Sequence, residues 1–299
     1  MTIAKDSTDD GPIQPARSHA RGHASRGARP SAVLIGLLGL LLALRASGDR
    51  TPEGVAPDTS DIVGAVSLPN GSGEVLPAPK RAIRAGESFH FAVRYGIITA
   101  GDAYLEVPEV RQWRGHPVFL FVARTESNKF FSTFYRVRNR IESYWDTTGH
   151  YSHRFAENRR EGAYRSQNEI VFDYERGEAL YQDGQAFPIP PQCQDALSSF
   201  YFARTAALPL GGSLIFDYHA SRKSQPLEVR VLGRQRVETP AGTFNCVVIE
   251  PILKAGGIFK NQGRLVIWLT DDDRRIPVMM KSKVTIGSIS VVLIEAKRG

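Results

Sequence analysis

From residue 84 onward, apolar and polar residues alternate with a period of two through much of the chain. In "GESFHFAVRYG", Phe89, Phe91, Val93 and Tyr95 fall on one side, and His90 and Arg94 on the other. That pattern predicts a half-buried strand. "AGDAYLEV" follows after a short glycine-containing connection, which predicts a hairpin. "HPVFLFVARTE" is apolar on both sides: Val118, Leu120 and Val122 alternate with Phe119, Phe121 and Ala123. "RIESYWD", "GHYSHRF", "QNEIVFDYE" and "GEALYQDG" come next at short intervals marked by Gly, Asp and Asn. With no long helix between them, such segments predict antiparallel meanders rather than β-α-β units.

Strand patterning resumes after Gly211, with turns over Thr239–Phe244 ("TPAGTF") and Asp271–Pro277 ("DDDRRIP"). Two stretches have helical spacing. "SNKFFSTFYRVRNRI" places Phe130, Phe131, Phe134, Tyr135 and Ile141 at roughly helical intervals, and Gln194–Leu208 is the better case. There Asp195 stands at the cap, Leu197, Phe200 and Tyr201 form a stripe, and Pro209 ends the run.

The C-terminal strands differ in how many dry sides they have. In "IPVMMKSKVTIG", Val278, Met280, Val284 and Ile286 share one face with Ser282, and Lys281, Lys283 and Thr285 share the other. "RLVIWLT" and "SVVLIEA" are apolar on both sides. Part of the sheet therefore has a second dry face, which needs a cover: another sheet, the helix near 195–207, or a bound apolar molecule. The expected fold class is mainly β, an antiparallel, strongly curved sheet forming an incomplete β-barrel or a sandwich, with one or two short helices.

The N-terminus changes the picture. Arg17, Arg21, Arg26 and Arg29 precede an uncharged apolar run of 13 residues, Ala32–Leu44. A helix spanning a bilayer needs about 20 residues. A basic leader, a short apolar run and small residues after it describe a secretory signal peptide over 1–46, with a short N-terminal anchor as the alternative. Residues 47–83, rich in Pro, Gly, Asp and Ser, read as a flexible linker, and 84–299 as a single β-rich domain. The expected location is the periplasm, with an inner-membrane anchor if the leader is uncleaved; membrane contact is then expected only through that segment.

Net charge is +7, but residues 1–50 hold seven Lys/Arg against four Asp/Glu, which leaves +4 for the rest. A folded part so mildly basic argues against nucleic-acid binding. Two cysteines, Cys193 and Cys246, are a candidate disulfide in an oxidising compartment, or else two buried thiols.

Motifs for catalysis are missing. No phosphate loop, GxSxG, HExxH or EF-hand pattern occurs in the sequence. His150 and His153, three apart on a strand, would face opposite sides, so no metal site is expected. "DDDRR" reads as a self-neutralised turn, and Glu157, Glu161 and Glu169 as surface strand positions. No cofactor is expected.

Three segments, "GESFHFAVRYGIITAGDAYLEV", "TPAGTFNCVVIEP" and "GRLVIWLTDDDRRIPVMMKSKVTIGSISVVL", resemble the bacterial family known as domain of unknown function 3108 (DUF3108) over about Arg84–Ala296. The resemblance implies an exported envelope protein and brings no established activity or catalytic residues. More loosely, the organisation is similar to the curved half-barrels of outer-membrane lipoprotein carriers, an analogy of architecture alone.

The first functional expectation is a non-enzymatic protein binding an apolar or amphipathic, lipid-like envelope component on the inner face of the curved sheet. Phe119, Phe121, Phe131, Phe134, Trp145 and Trp268 are the candidate lining. A protein-interaction module in envelope assembly is the second reading and an envelope hydrolase the third.

Overall fold

A computed structural model describes residues 74–80, 82–253, 264–283 and 287–299. The signal-peptide segment, most of the expected linker, and Val284 and Ile286 lie outside these residues. Along the chain the strands are β1 (Val75–Leu76), β2 (Glu87–Tyr95), β3 (Ile98–Val107), β4 (Val110–Trp113), β5 (His116–Ser127), β6 (Val137–Asp146), β7 (Ser152–Glu161), β8 (Tyr164–Asp173), β9 (Glu178–Tyr181) and β10 (Ala186–Pro188). They continue as β11 (Leu208–Pro209), β12 (Ser213–Ala220), β13 (Lys223–Thr239), β14 (Gly242–Leu253), β15 (Leu265–Thr270), β16 (Pro277–Lys283) and β17 (Ser288–Lys297). Helix α1 spans Lys129–Ser132 and α2 spans Ser198–Thr205.

Among the described residues, fifteen strands make one antiparallel sheet in the order β10, β9, β8, β7, β6, β5, β3, β2, β17, β16, β15, β14, β13, β12, with β4 alongside β5. Each half is a meander of sequence neighbours, as the short turns require. The last strand joins the halves: β17 pairs with β2 from Ile289↔Tyr95 to Lys297↔Ser88. Curvature then brings the two outer edges together through side chains. Tyr181 Oη on β9 lies 3.0 Å from His219 Nε2 on β12 and accepts the Arg222 N–H at 2.8 Å. Ser224 Oγ donates to the Pro188 carbonyl at 2.9 Å. The result is a strongly curved sheet, not closed into a barrel by a backbone ladder.

The dry faces now separate. Leu265, Ile267 and Leu269 of β15 join the large core that also holds α2, whereas Val266 and Trp268 join a second cluster with Val237, Cys246, Val248 and Val278. Alternation thus sends successive residues of one strand to two different cores. On β5, Phe121 and Ala123 enter the large core, with Phe119 packed against it, and Val118, Leu120 and Val122 form a third cluster with Tyr144. One expectation fails here. Val278 and Met280 do not share a face: a register shift between Trp268 and Leu269, opposite Met279 and Pro277, puts Val278 in the second cluster and Met280 in the first. A bulge of this kind re-aims side chains that simple alternation places together.

Helix α2 covers the inner face. Asp195 is not the cap itself: the N-cap is Leu197, and the Asp195 carboxylate two residues earlier accepts the Leu197 and Ser198 N–H groups at 2.7 and 2.8 Å in the turn that leads into the helix. Leu197, Phe200 and Tyr201 are buried. Arg204 is fully buried, donating to Glu87 Oε1 at 2.8 Å, the Ala82 carbonyl at 2.7 Å and the Arg275 carbonyl at 3.0 Å. These bonds tie the helix to β2 and to the turn before β16.

Three further expectations are corrected. Order reaches into the expected linker: β1 pairs with β11, Leu76 is buried, and Glu74 is held by Arg234. The acidic turn is only partly self-neutralised. Asp272 pairs with Arg274, but Asp271 takes Arg234 from β13, and Arg275 is buried with its carbonyl on Arg204. Cys193 and Cys246 are separate free thiols, one in the large core and one in the second cluster on the opposite face, so the fold keeps the candidate disulfide apart.

Candidate functional site

A curved sheet needs an internal cavity to hold a ligand, and among the described residues the inner face is packed by the protein's own side chains. Phe121 stacks on Tyr201 and lies tilted against Trp145, and Trp145 Nε1 donates to Gln194 Oε1 at 3.0 Å. Phe119 packs beside Phe121. Trp268 belongs to the other face and donates to Gln235 Oε1 at 2.8 Å. Of the six expected lining residues, Phe119, Phe121 and Trp145 are brought together as packed core, and Phe131, Phe134 and Trp268 are not with them. Among the described residues, the apolar cleft between Val93, Ala100, Val137 and Ile289 has a volume of about 30 Å³. That is room for a water molecule or two, far below the several hundred Å³ of a ligand site.

Phe131 and Phe134 lead elsewhere, to the end of the sheet where that cleft opens. Here β2 turns into β3, β5 runs into α1 and β6, and β7 turns into β8. The β2–β3 turn is Gly96–Ile97, set between the paired Tyr95 and Ile98. Gly96 has φ +57, which a tight hairpin demands at its first turn residue. Ile97 then sits at the tip with 98% of its surface exposed, and Ile98 is exposed beside it. Turns normally carry polar residues, so an isoleucine at the tip has no packing reason to be there.

Helix α1 stands next to this tip. Asn128 caps it by accepting the Phe131 N–H at 2.9 Å, and its amide donates to the Thr99 carbonyl at 2.8 Å. The bond fastens the helix to the hairpin. Gly101 allows the close approach of β3 and β5 beneath it, since a Cβ there would meet the Glu126 carbonyl oxygen at 2.0 Å. Phe130 and Phe134 are 66% and 77% exposed, with ring centroids 5.5 Å apart. Phe131 is half-buried against Phe130. The helix is a single turn because Val137 must already alternate as a strand; helical spacing of the aromatics reflects clustering rather than a long helix.

Basic residues occupy the same end of the sheet. Lys129, Arg136, Arg138, Arg160 and Arg165 are exposed, and Arg94 is half-buried. The nearby carboxylates offset them little. Glu161 is buried and held by Arg159 and Asn139, and Glu126 approaches Arg138 only to 4.0 Å. Tyr164 is half exposed on the same rim. This end of the sheet thus carries four exposed apolar side chains among exposed cations. Of the three glutamates read as surface strand positions, Glu157 and Glu161 are buried, and Glu169 accepts from Arg154 Nε at 2.6 Å. The aromatic cluster was visible in the sequence, but its partners Ile97 and Ile98 were missed. The signal was present in an apolar pair filling a glycine turn.

At the opposite end of the sheet, His116, Asp146 and His153 converge. His150, which the sequence pairs with His153, stacks on Trp145 instead, with centroids 4.6 Å apart. Among the described residues no helix is long and apolar enough to cross a membrane.

Fold and rim define a class: an open, curved antiparallel sheet filled by its own helix, with a basic and apolar end. The chain belongs to the protein family of unknown function DUF3108, whose model matches residues 90–294. No curated protein matches it. Among solved structures it is similar to a beta-barrel-like protein of the domain of unknown function DUF1849 from Brucella abortus, at 10% identity and TM-score 0.47, covering 76% of this chain and 100% of that one. It is also similar to a protein inferred to be a lipoprotein from Parabacteroides distasonis, at 11% identity and TM-score 0.34, covering 74% and 99%. A third is a protein inferred to be exported, with a YmcC-like fold, from Bacteroides fragilis, at 12% identity and TM-score 0.36, covering 74% and 100%.

Proposed function

We propose that this is an exported, periplasmic envelope protein that binds an amphipathic partner without chemistry, and that the partner is an anionic lipid surface engaged by the rim. The observation that carries the reading is the exposure of Ile97, Ile98, Phe130 and Phe134 at the end of the sheet that also exposes Lys129, Arg136, Arg138, Arg160 and Arg165. Burying a large apolar side chain is worth about 1.5–3 kcal/mol, and each cation near an anionic membrane about 1 kcal/mol. Both contributions are reduced by the cost of association, so binding is reversible and weakens with salt. The sequence alone put membrane contact only in the N-terminal segment; the rim adds a second contact, and it replaces the sheet interior as the place where an apolar partner meets the protein.

The test is co-sedimentation of the full chain with vesicles of phosphatidylglycerol and phosphatidylcholine, against vesicles of phosphatidylcholine alone. The Ile97→Asp/Phe134→Asp double variant keeps the same N-terminus, so a difference between the proteins reports the rim. The reading expects preference for the anionic vesicles and at least about a tenfold weaker partition of the variant, since two apolar anchors are lost. Equal partition of the two proteins would overturn it. Crosslinking of the rim to an envelope protein, with no lipid preference, would favour the interaction-module reading.

A further inference from the structure

We propose that His116, Asp146 and His153 form a binding site for a divalent transition-metal ion, open to solvent on the His116 side. His116 starts β5, Asp146 ends β6 and His153 lies near the start of β7, so three adjacent strands deliver one ligand each to the same end of the sheet. Their ligating atoms all lie within 4.8 Å of one another. Asp146 Oδ2 is 3.0 Å from His153 Nε2 and 3.5 Å from His116 Nδ1. A four-coordinate zinc with bonds of about 2.0–2.1 Å sets its ligand atoms about 3.3 Å apart. The observed separations bracket that value, so an ion can enter with small side-chain rotations.

The carboxylate is oriented for this task. Asp146 Oδ1 accepts the Thr148 and Gly149 N–H groups at 2.9 and 2.7 Å, which satisfies one oxygen and turns the other to both imidazoles. A carboxylate so held by its outer contacts is what a metal site requires. Asp146 and His153 are buried, 4% and 6% exposed, and the His153 ring is wedged against Tyr151 with centroids 4.9 Å apart. His116 is half exposed and tilted over His153, with centroids 4.6 Å apart. Two histidines and one carboxylate leave coordination positions free for solvent, and nitrogen donors select a transition metal over calcium or magnesium. The sequence hides the trio because its members are 30 and 7 positions apart and meet only through the β5–β6–β7 register.

The experiment is titration of chelator-treated full chain with zinc chloride by calorimetry, with cobalt chloride as a visible-absorption probe. The expected result is one ion per chain and a tetrahedral-type cobalt spectrum. His116→Ala, chosen because the residue is exposed and its loss spares the fold, is expected to weaken that site by about tenfold or more. Asp146→Asn is expected to do the same. Absence of saturable zinc binding, or binding left unchanged by His116→Ala through other histidines such as His19 and His23, would overturn the assignment. The outcome is independent of the lipid experiment, since the trio lies at the other end of the strands.

Discussion

Tyr201 of α2 lies with its ring 3.7 Å from that of Phe121, centroid to centroid, and 10° from parallel. Both side chains are fully buried. The contact plugs the hollow that a curved sheet would otherwise leave, and the stacked pair contributes more than its buried area. Replacing Phe121 with Ala removes most of a buried ring and leaves a cavity. The expected loss is about 3–5 kcal/mol, read by urea unfolding at unchanged slope. A loss below 1 kcal/mol would mean that the interior is loosely filled.

Arg204 and Glu87 are the second fastening of α2. A buried ion pair adds little over an apolar pair, but breaking one strands the survivor. Glu87→Ala leaves the guanidinium with only carbonyl partners, and a loss of about 3–5 kcal/mol is expected. In the Glu87→Ala/Arg204→Met double variant much of that loss should return, a non-additivity that unfolding of the three proteins measures. Strict additivity would contradict the pairing.

One hydroxyl makes two of the contacts across the seam between the sheet's edges, beside the Ser224–Pro188 bond and the Arg222 bond to Gln185. Tyr181→Phe removes the partner of both His219 Nε2 and the Arg222 N–H. The expected cost is about 1–3 kcal/mol, with faster amide exchange in β9, β10 and β12 while the β2–β17 junction stays protected. Uniform loss of protection would show that the seam is not a separate unit.

Burial pushes the Cys193 thiol from an ordinary 9.0 up to about 12, and Cys246 likewise to about 12. At pH 8 neither should react with a thiol reagent in the folded chain, and both should react once unfolded. The sign for stability follows. Between about pH 9 and 12 the unfolded thiols ionise while the folded ones do not, so each thiol costs about 1.4 kcal/mol of stability per pH unit in that window. Below pH 9 this cost vanishes. Replacing Cys193 with Ala should flatten the alkaline loss; rapid labelling of the native protein at pH 8 would contradict the burial.

The curved antiparallel sheet was legible because alternation and glycine turns are local signals. Strands dry on both sides, such as "RLVIWLT", correctly announced two buried faces. What filled the inner face was harder to read, because Phe121 and Tyr201 are 80 positions apart and either a lipid or a helix satisfies the same apolar pattern. The bulge at Val278 carries no composition signal and flipped one residue to the other core. Phe131 and Phe134 were noticed as aromatics, but exposure is a property of the folded rim. The metal trio was invisible for a related reason: sequence spacing presented His150 beside His153, and only strand register supplies His116 and Asp146.

The most direct measurement is the depth of the rim in a bilayer. A spin label at Ile97→Cys, with one at Gln112→Cys at the opposite end of the sheet as control, is read by collision with apolar oxygen and with a water-soluble nickel complex; the buried native thiols stay unlabelled. On phosphatidylglycerol-containing vesicles the account predicts that the label at 97 gains oxygen contact and loses nickel contact, while that at 112 remains aqueous. Equal water exposure of both labels on membranes that hold the protein would contradict it.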